Sequence, residues 1–122
     1  MILADTSVWL DHFRSGDKEM EAALNQSRIV IHPWIIAELA LGSLRNRAGT
    51  LAMLDLLPQA RVAQMAELRH MIEARRLFSL GIGLADAQLI ASALLDPPTL
   101  LWTRDKQLRR VAEGLGIHAT LA

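Results

Sequence analysis

Short apolar runs alternate along the chain with longer stretches in which apolar side chains recur every three or four positions. The apolar runs are short enough for strands, and the second of them is rich in β-branched residues. They predict strands at residues 2–4, 28–32, 100–103 and 117–121. The pattern therefore indicates a chain that repeatedly passes from strand to helix.

The periodic stretches between these runs predict helices, and several carry the polar or proline residues that begin or end a helix. Asp17 and Asn46 stand at positions suited to an N-cap, and Pro33 suits a first helical turn. Two glycines at 81 and 83 and the prolines at 97 and 98 favour helix ends. The predicted helices cover residues 7–13, 18–26, 33–44, 47–57, 64–80, 87–95 and 106–115, with 64–80 the longest.

Repeated strand-to-helix connections predict a parallel sheet with helices on both faces. The fold class is therefore α/β, with three layers (α/β/α) and a central parallel sheet of about four or five strands. A length of 122 residues fits one compact domain. We expect a single domain over residues 1–122.

Composition narrows the cellular context. The chain has no cysteine, which excludes disulfides and thiolate zinc sites and favours a reducing cytoplasm. The apolar opening at residues 1–4 is too short for the apolar region of a signal peptide, because an acid follows at Asp5. No apolar run approaches the ~20 residues of a membrane span. We therefore expect a cytoplasmic protein that does not contact membranes.

Charge is balanced overall but not along the chain. Residues 1–43 hold six acids and three bases, and residues 44–122 hold seven acids and ten bases. This division suits a nuclease whose carboxylates bind cations while arginines elsewhere meet phosphate. It equally suits an ordinary solvated surface.

Four acids occupy positions where an open parallel sheet places its ligands, beyond the carboxyl ends of the strands. Asp5 follows the first predicted strand, and Asp105 follows the strand at 100–103. Asp86 stands at the start of the helix 87–95, and Glu38 lies about two turns into the helix after the second strand. We expect these four side chains to approach one another.

Glu38 is the least expected of the four, because its helical neighbours Trp34, Leu41 and Gly42 are apolar. Burying an unpaired carboxylate there would cost several kcal/mol. No base lies within one helical turn. A bound cation would resolve this conflict.

Carboxylates without histidine or cysteine select hard divalent cations such as Mg²⁺ or Mn²⁺. Two such ions about 4 Å apart can activate water and stabilise the leaving oxygen of a phosphodiester. Without the ions, four like charges raise some of the carboxylate pKa values. These properties indicate metal-dependent phosphodiester hydrolysis by a two-metal mechanism.

Three alternatives remain open at this point. Asp5, Asp86 and Asp105 also suit helix N-caps, and capping explains most single aspartates at such positions. The chain could be a non-catalytic module of the same fold that binds a partner protein through its apolar surface. A phosphatase of the haloacid dehalogenase type also begins with a strand and an acid, but it needs a second aspartate where this chain has Ser7.

The four acids lie in segments that together resemble the PIN-domain pattern over essentially the whole chain. Each segment alone is weakly diagnostic, whereas all four in this order and spacing are specific. The segments are ILADTSVWL at 2–10, WIIAEL at 34–39, GLADAQLIASA at 83–93 and LWTRDKQL at 101–108. The fourth departs from the family at Leu108, where an aromatic residue is usual.

Short PIN-domain proteins are most often VapC-like toxins of toxin–antitoxin pairs, and the resemblance carries that implication. It implies an endoribonuclease that requires Mg²⁺ or Mn²⁺, forms homodimers and is silenced by a small VapB-like antitoxin covering the active-site groove. By matching position, the catalytic metal ligands are Asp5, Glu38, Asp86 and Asp105. Ser7 and Thr103 would orient those carboxylates through their hydroxyl groups, and Arg104 is the candidate for contact with RNA phosphate.

Overall fold

The computed structural model describes residues 1–122 as three strands and seven helices. In chain order, these are β1 (Ile2–Ala4), α1 (Thr6–Ser15), α2 (Lys18–Asn25), β2 (Ile29–Val30), α3 (Pro33–Ala40), α4 (Arg47–Leu56), α5 (Met65–Ala74), α6 (Leu84–Leu95), β3 (Leu100–Trp102) and α7 (Lys106–Gly114).

The three strands form one parallel sheet in the order β2-β1-β3. Leu3 of the central strand pairs with Val30 of β2 and with Leu101 of β3. Nearly every strand residue is buried, as expected when helices cover a parallel sheet. The predicted α/β class with a parallel sheet is confirmed.

The prediction of four or five strands is wrong, because the outer segments each pair at a single residue. His118 forms one parallel bridge with Leu101, and Gln59 forms one with Ile31. Beyond His118 the Leu121 N–H donates to the Ala119 carbonyl at 2.8 Å, which bends the chain into a tight turn. The predicted strand at 117–121 therefore cannot extend along β3.

The predicted helix 64–80 is also too long. It ends at Ala74 because Arg76 adopts a left-handed conformation with φ of 52°. The Leu77 N–H then donates to the Ile72 carbonyl at 2.9 Å, which closes the helix as glycine commonly does. The longest helix is instead α6, which begins at Leu84, three residues earlier than predicted.

The core lies around the central strand and contains two tryptophans, Trp9 of α1 and Trp102 of β3, both fully buried. Helix α6 contributes seven consecutive buried residues, Ala87 to Ala93. Small side chains among them let this helix lie close to its neighbours. None of the seven helices has the length and apolar character that crossing a bilayer requires.

Candidate active site

Asp5 lies at the carboxyl end of the central strand, beside the end of β3. Its backbone N–H donates to the Trp102 carbonyl at 2.9 Å, which continues the β1–β3 pairing by one step. The same residue is the N-cap of α1, since its carboxylate accepts a bond from the Val8 N–H at 3.3 Å. Strand pairing and helix capping thus hold a carboxylate that is only 6% exposed.

Two hydroxyl groups direct their protons to Asp5. Ser7 Oγ donates to Asp5 Oδ1 at 2.5 Å, and Thr103 Oγ1 donates to Asp5 Oδ2. Each hydroxyl oxygen also accepts a backbone N–H. The Arg104 N–H donates to Ser7 Oγ at 3.1 Å, and the Asp105 N–H donates to Thr103 Oγ1 at 3.0 Å. The single proton of each hydroxyl is therefore left to donate to the Asp5 carboxylate.

Glu38 lies near the end of α3 and is exposed. The expectation that its apolar neighbours bury it is wrong, because its face of α3 is turned to solvent, as the 89% exposure of Leu41 shows. Its carboxylate accepts a bond from Thr6 Oγ1 at 2.9 Å, which ties α3 to the first turn of α1. Glu38 therefore joins the Asp5 region through α1 and has no burial cost to offset.

Asp86 is half-buried in the first turn of α6, and the N-cap of that helix is Gly83. Burial raises the pKa of Asp86, a backbone hydrogen bond from Gly83 lowers it in part, and three nearby carboxylates raise it further. Those carboxylates, in decreasing order of effect, are Asp105, Asp5 and Glu38. Asp86 therefore lies close enough to the other three predicted acids to be repelled by their charges.

Asp105 is exposed and is the N-cap of α7, where its Oδ1 accepts the Leu108 N–H at 2.9 Å. Capping thus accounts for the position of Asp5 and Asp105. Asp86 is not the N-cap of α6, but it accepts a backbone hydrogen bond from the N-cap residue Gly83 and so also contributes to capping. Capping therefore explains the position of three of the four acids, and not that of Glu38.

The acidic cluster, defined as Asp5, Glu38, Asp86 and Asp105, has no basic partner. The ion pairs of the structure join Arg61 to Glu67 and Arg104 to Asp11 and Asp17. Uncompensated carboxylates in one place are unfavourable in a metal-free protein. The arrangement therefore favours a ligand that supplies positive charge.

Arg104 is turned away from this cluster. Its Nη1 donates to Asp11 at 2.8 Å, its Nη2 pairs with Asp17, and its Nε donates to the backbone oxygen of Ala122 at 2.9 Å. The guanidinium carbon also lies 5.4 Å from the ring centroid of Trp102. With its donors engaged in this way, Arg104 ties the turn after β3 to α1 and to the start of α2.

The donor set fits a hard divalent cation in charge and in ligand type. No three histidine, cysteine, aspartate or glutamate side chains are placed to hold one ion as they stand. Asp5 uses three of its roughly four acceptor positions, which leaves about one for a cation. Glu38 and Asp105 are exposed, and each is held by one hydrogen bond through one carboxylate oxygen, which leaves its second oxygen for such an ion.

Sequence reasoning did not identify Thr6, whose hydroxyl holds Glu38. Thr6 lies between Asp5 and Ser7 in the first motif, and a second hydroxyl residue there was the available signal. Nor did it identify Asp11 and Asp17 as the partners of Arg104. That contact joins residues 93 and 87 positions apart, and no local pattern encodes it.

Comparison with known proteins places these observations in context. The family model of the PIN domain matches residues 2–114. The chain is 39% identical over 117 residues to Ribonuclease VapC32 of Mycobacterium tuberculosis, in both strain CDC 1551 / Oshkosh and strain ATCC 25618 / H37Rv. Each alignment covers 96% of this chain and 94% of the relative.

Proposed function

The chain belongs to the PIN-domain family, and from that premise we propose that it is a metal-dependent endoribonuclease, the toxin of a toxin–antitoxin pair. The curated relatives that match nearly its full length are named as VapC-type ribonucleases, which supports the RNA substrate. We propose Mg²⁺ or Mn²⁺ as the cofactor and the acidic cluster as its ligands.

One observation carries this proposal. Burial and, after it, three neighbouring carboxylates raise the pKa of Asp86, and no arginine, lysine or histidine forms an ion pair with any of the four acids. Acids of like charge gathered near the carboxyl ends of the strands, with no base among them, are typical of a functional site. A bound cation would balance the negative charge of the acidic cluster.

The protein's own groups would act by holding and orienting. Ser7 and Thr103 fix the Asp5 carboxylate through hydrogen bonds, and Thr6 fixes Glu38 in the same way. A bound divalent ion supplies a Lewis acid for the phosphodiester and lowers the pKa of water. Because there are four carboxylates, we propose that the cluster would hold two ions and act by a two-metal mechanism.

The partners follow from the same resemblance. We propose a small VapB-like antitoxin that covers the groove beside the acidic cluster, and a homodimer of this chain in the cytoplasm. The exposed apolar side chain of Leu41 lies one turn beyond Glu38 on α3, which supports a protein contact next to the site.

Thermal unfolding with and without Mn²⁺ tests the metal site, using the wild type and Asp86→Asn. An ion that binds only the folded state raises the wild-type Tm, and the variant should lose most of that rise. The metal-free variant should also unfold at a higher temperature than the wild type, because one repelling charge is gone. RNA cleavage with Mn²⁺, measured on the same proteins, should be abolished in the variant.

Two results would contradict the proposal. One is full Mn²⁺-dependent cleavage by Asp86→Asn. The other is a wild type that neither responds to Mn²⁺ nor cleaves RNA while binding a partner protein, which would support a non-catalytic binding module.

A further inference from the structure

A surface cavity of about 590 Å³ opens between the second half of α1 and the connection from α3 to α4. Its polar lining includes His12 and Arg14 from α1, and Ser43 and Arg45 from the connection. No acidic residue lines it, although residues 1–43 as a whole carry an excess of acids. We call it the basic cavity.

The two arginines of the basic cavity have no partner within the protein. Neither guanidinium makes an ion pair or a hydrogen bond, and both residues are exposed. Arg104, by contrast, is engaged by two carboxylates. Arg14 and Arg45 therefore keep their full donor capacity for an anionic ligand.

The connection that carries Arg45 is held in place. Thr50 Oγ1 donates to the Arg45 carbonyl at 3.0 Å, and the Arg47 side chain donates to the carbonyls of Ala40 and Gly42 at 2.5 and 3.2 Å. These bonds occupy carbonyls that the end of α3 leaves free. A ligand would therefore meet a cavity wall that is already ordered.

The basic cavity and the acidic cluster share one face of α1. Thr6, which contacts Glu38, is followed on the same face by Leu10 and Phe13, and both line the cavity. At 1.5 Å per residue, Arg14 lies about 14 Å along the helix from Asp5. A single strand of nucleic acid lying along this face would span both places.

We propose that the basic cavity is a phosphate-binding subsite for the RNA strand beside the position of cleavage, with Arg14 and Arg45 as its cationic ligands. The inference rests on the proposed ribonuclease function. Without bound cations the four carboxylates repel a polyanion, so positive groups outside the cluster are needed to attract the RNA strand. The basic cavity supplies one such group, Arg14, on the helix that carries Ser7 and is capped by Asp5, and a second, Arg45, on the facing connection.

The test measures binding of a short, fluorescein-labelled oligouridylate by anisotropy in EDTA, as a function of salt from about 50 to about 200 mM KCl. The double variant Arg14→Gln/Arg45→Gln should bind about ten-fold more weakly at the low end of this range. Its plot of log K against log salt should be shallower by about 1.4, because two phosphate contacts are lost at about 0.7 each. The matched control is Arg69→Gln/Arg110→Gln, which removes two exposed, unpaired arginines elsewhere.

The control should bind like the wild type with an unchanged salt slope. An equal loss in both double variants would overturn the subsite, because it would show that general surface charge holds the RNA. So would a double variant that binds RNA like the wild type but no longer binds an acidic partner protein, since the cavity would then be a protein interface.

Cleavage by the wild type in Mn²⁺ separates this inference from the proposed function. A wild type that cleaves RNA, with unchanged RNA affinity in Arg14→Gln/Arg45→Gln, overturns the subsite alone. A wild type that cleaves no RNA with either Mg²⁺ or Mn²⁺ overturns the ribonuclease proposal and the subsite with it.

Discussion

Two groups of acids contact the segment 103–105 that follows β3, and they differ in how their charge is balanced. Asp11 and Asp17 share the Arg104 guanidinium, whereas the acidic cluster has no base. In the first group, partial burial would raise the pKa of Asp17, but the Met20 N–H and Arg104 bring it below its ordinary value. In the second, burial and like charges raise the pKa of Asp86.

The comparison shows why residue type alone does not reveal a role. Asp17 and Asp105 are both N-caps, and each accepts a backbone N–H three residues later at 2.9 Å. The two carboxylates therefore cap their helices in the same way. The contrast arises from the balance of charge around each side chain: Arg104 balances the first group, and no base balances the second, which is the metal site that we propose.

The largest expected effect on RNA cleavage comes from replacing the N-cap aspartates 17 and 105, each in turn, with asparagine. Asparagine caps a helix as well as aspartate does, so Asp105→Asn and Asp17→Asn each remove only a charge. Asp105→Asn should lower RNA cleavage about 100- to 1,000-fold, a loss typical of removing one electrostatic group from an active site. Asp17→Asn should leave cleavage within a few-fold of the wild type, and similar losses in both would remove the distinction drawn here.

Thr103→Val should lower Mn²⁺ affinity or cleavage about 10- to 100-fold, the usual result of removing a group that orients a metal ligand. The change keeps the shape of a fully buried side chain but removes the hydroxyl that contacts Asp5. A Mn²⁺ titration followed by Tm measures the affinity. Thr120→Val, at an exposed position, is the control and should match the wild type.

Arg104→Ala should destabilise the fold by about 1–2 kcal/mol, because it leaves two carboxylates without their partner in a partly solvated place. Urea unfolding measures the change in free energy. Arg69→Ala removes an exposed arginine without an ion pair and should have no measurable effect. Equal stability of the two variants would show that the Arg104 contacts contribute nothing.

The smallest expected effect is on stability in EDTA, where the contributions of Asp17 and Asp86 should change in opposite directions with pH. Asp17 has a lowered pKa, so its stabilising contribution is complete above 3.8 and is lost as the pH falls through the lower folded value. Asp86 has a raised pKa, so the folded state gains stability as the pH falls through that value toward 3.8. Tm measured from neutral to acidic pH should show that gain in the wild type and not in Asp86→Asn.

The sequence was sufficient to predict the part of the site whose residues directly follow the strands. Asp5 and Thr103 come together because each directly follows one of two paired strands, and such strands are visible as apolar runs. The exposure of Glu38 was not predictable, because a helical pattern does not show which apolar face remains uncovered. The helix end at Arg76 was missed because its left-handed conformation occurs without glycine.

The partners of Arg104 illustrate a different limit. Arg104 was expected to meet RNA because it adjoins Asp105, a predicted catalytic acid, in sequence. Its position is instead set by Asp11 and Asp17, near the opposite end of the chain. Contacts over such separations depend on how α1 packs against the sheet, and one sequence does not specify that.

The hydrogen bond from Thr103 to Asp5 also has a consequence for biosynthesis. The two residues are 98 positions apart, and the central strand gains its second neighbour only when β3 is made. A ribosome carrying an unfinished chain therefore holds β1 without the hydroxyl and without Asp105. The acidic cluster can therefore assemble only after synthesis has passed Asp105, 100 residues after Asp5.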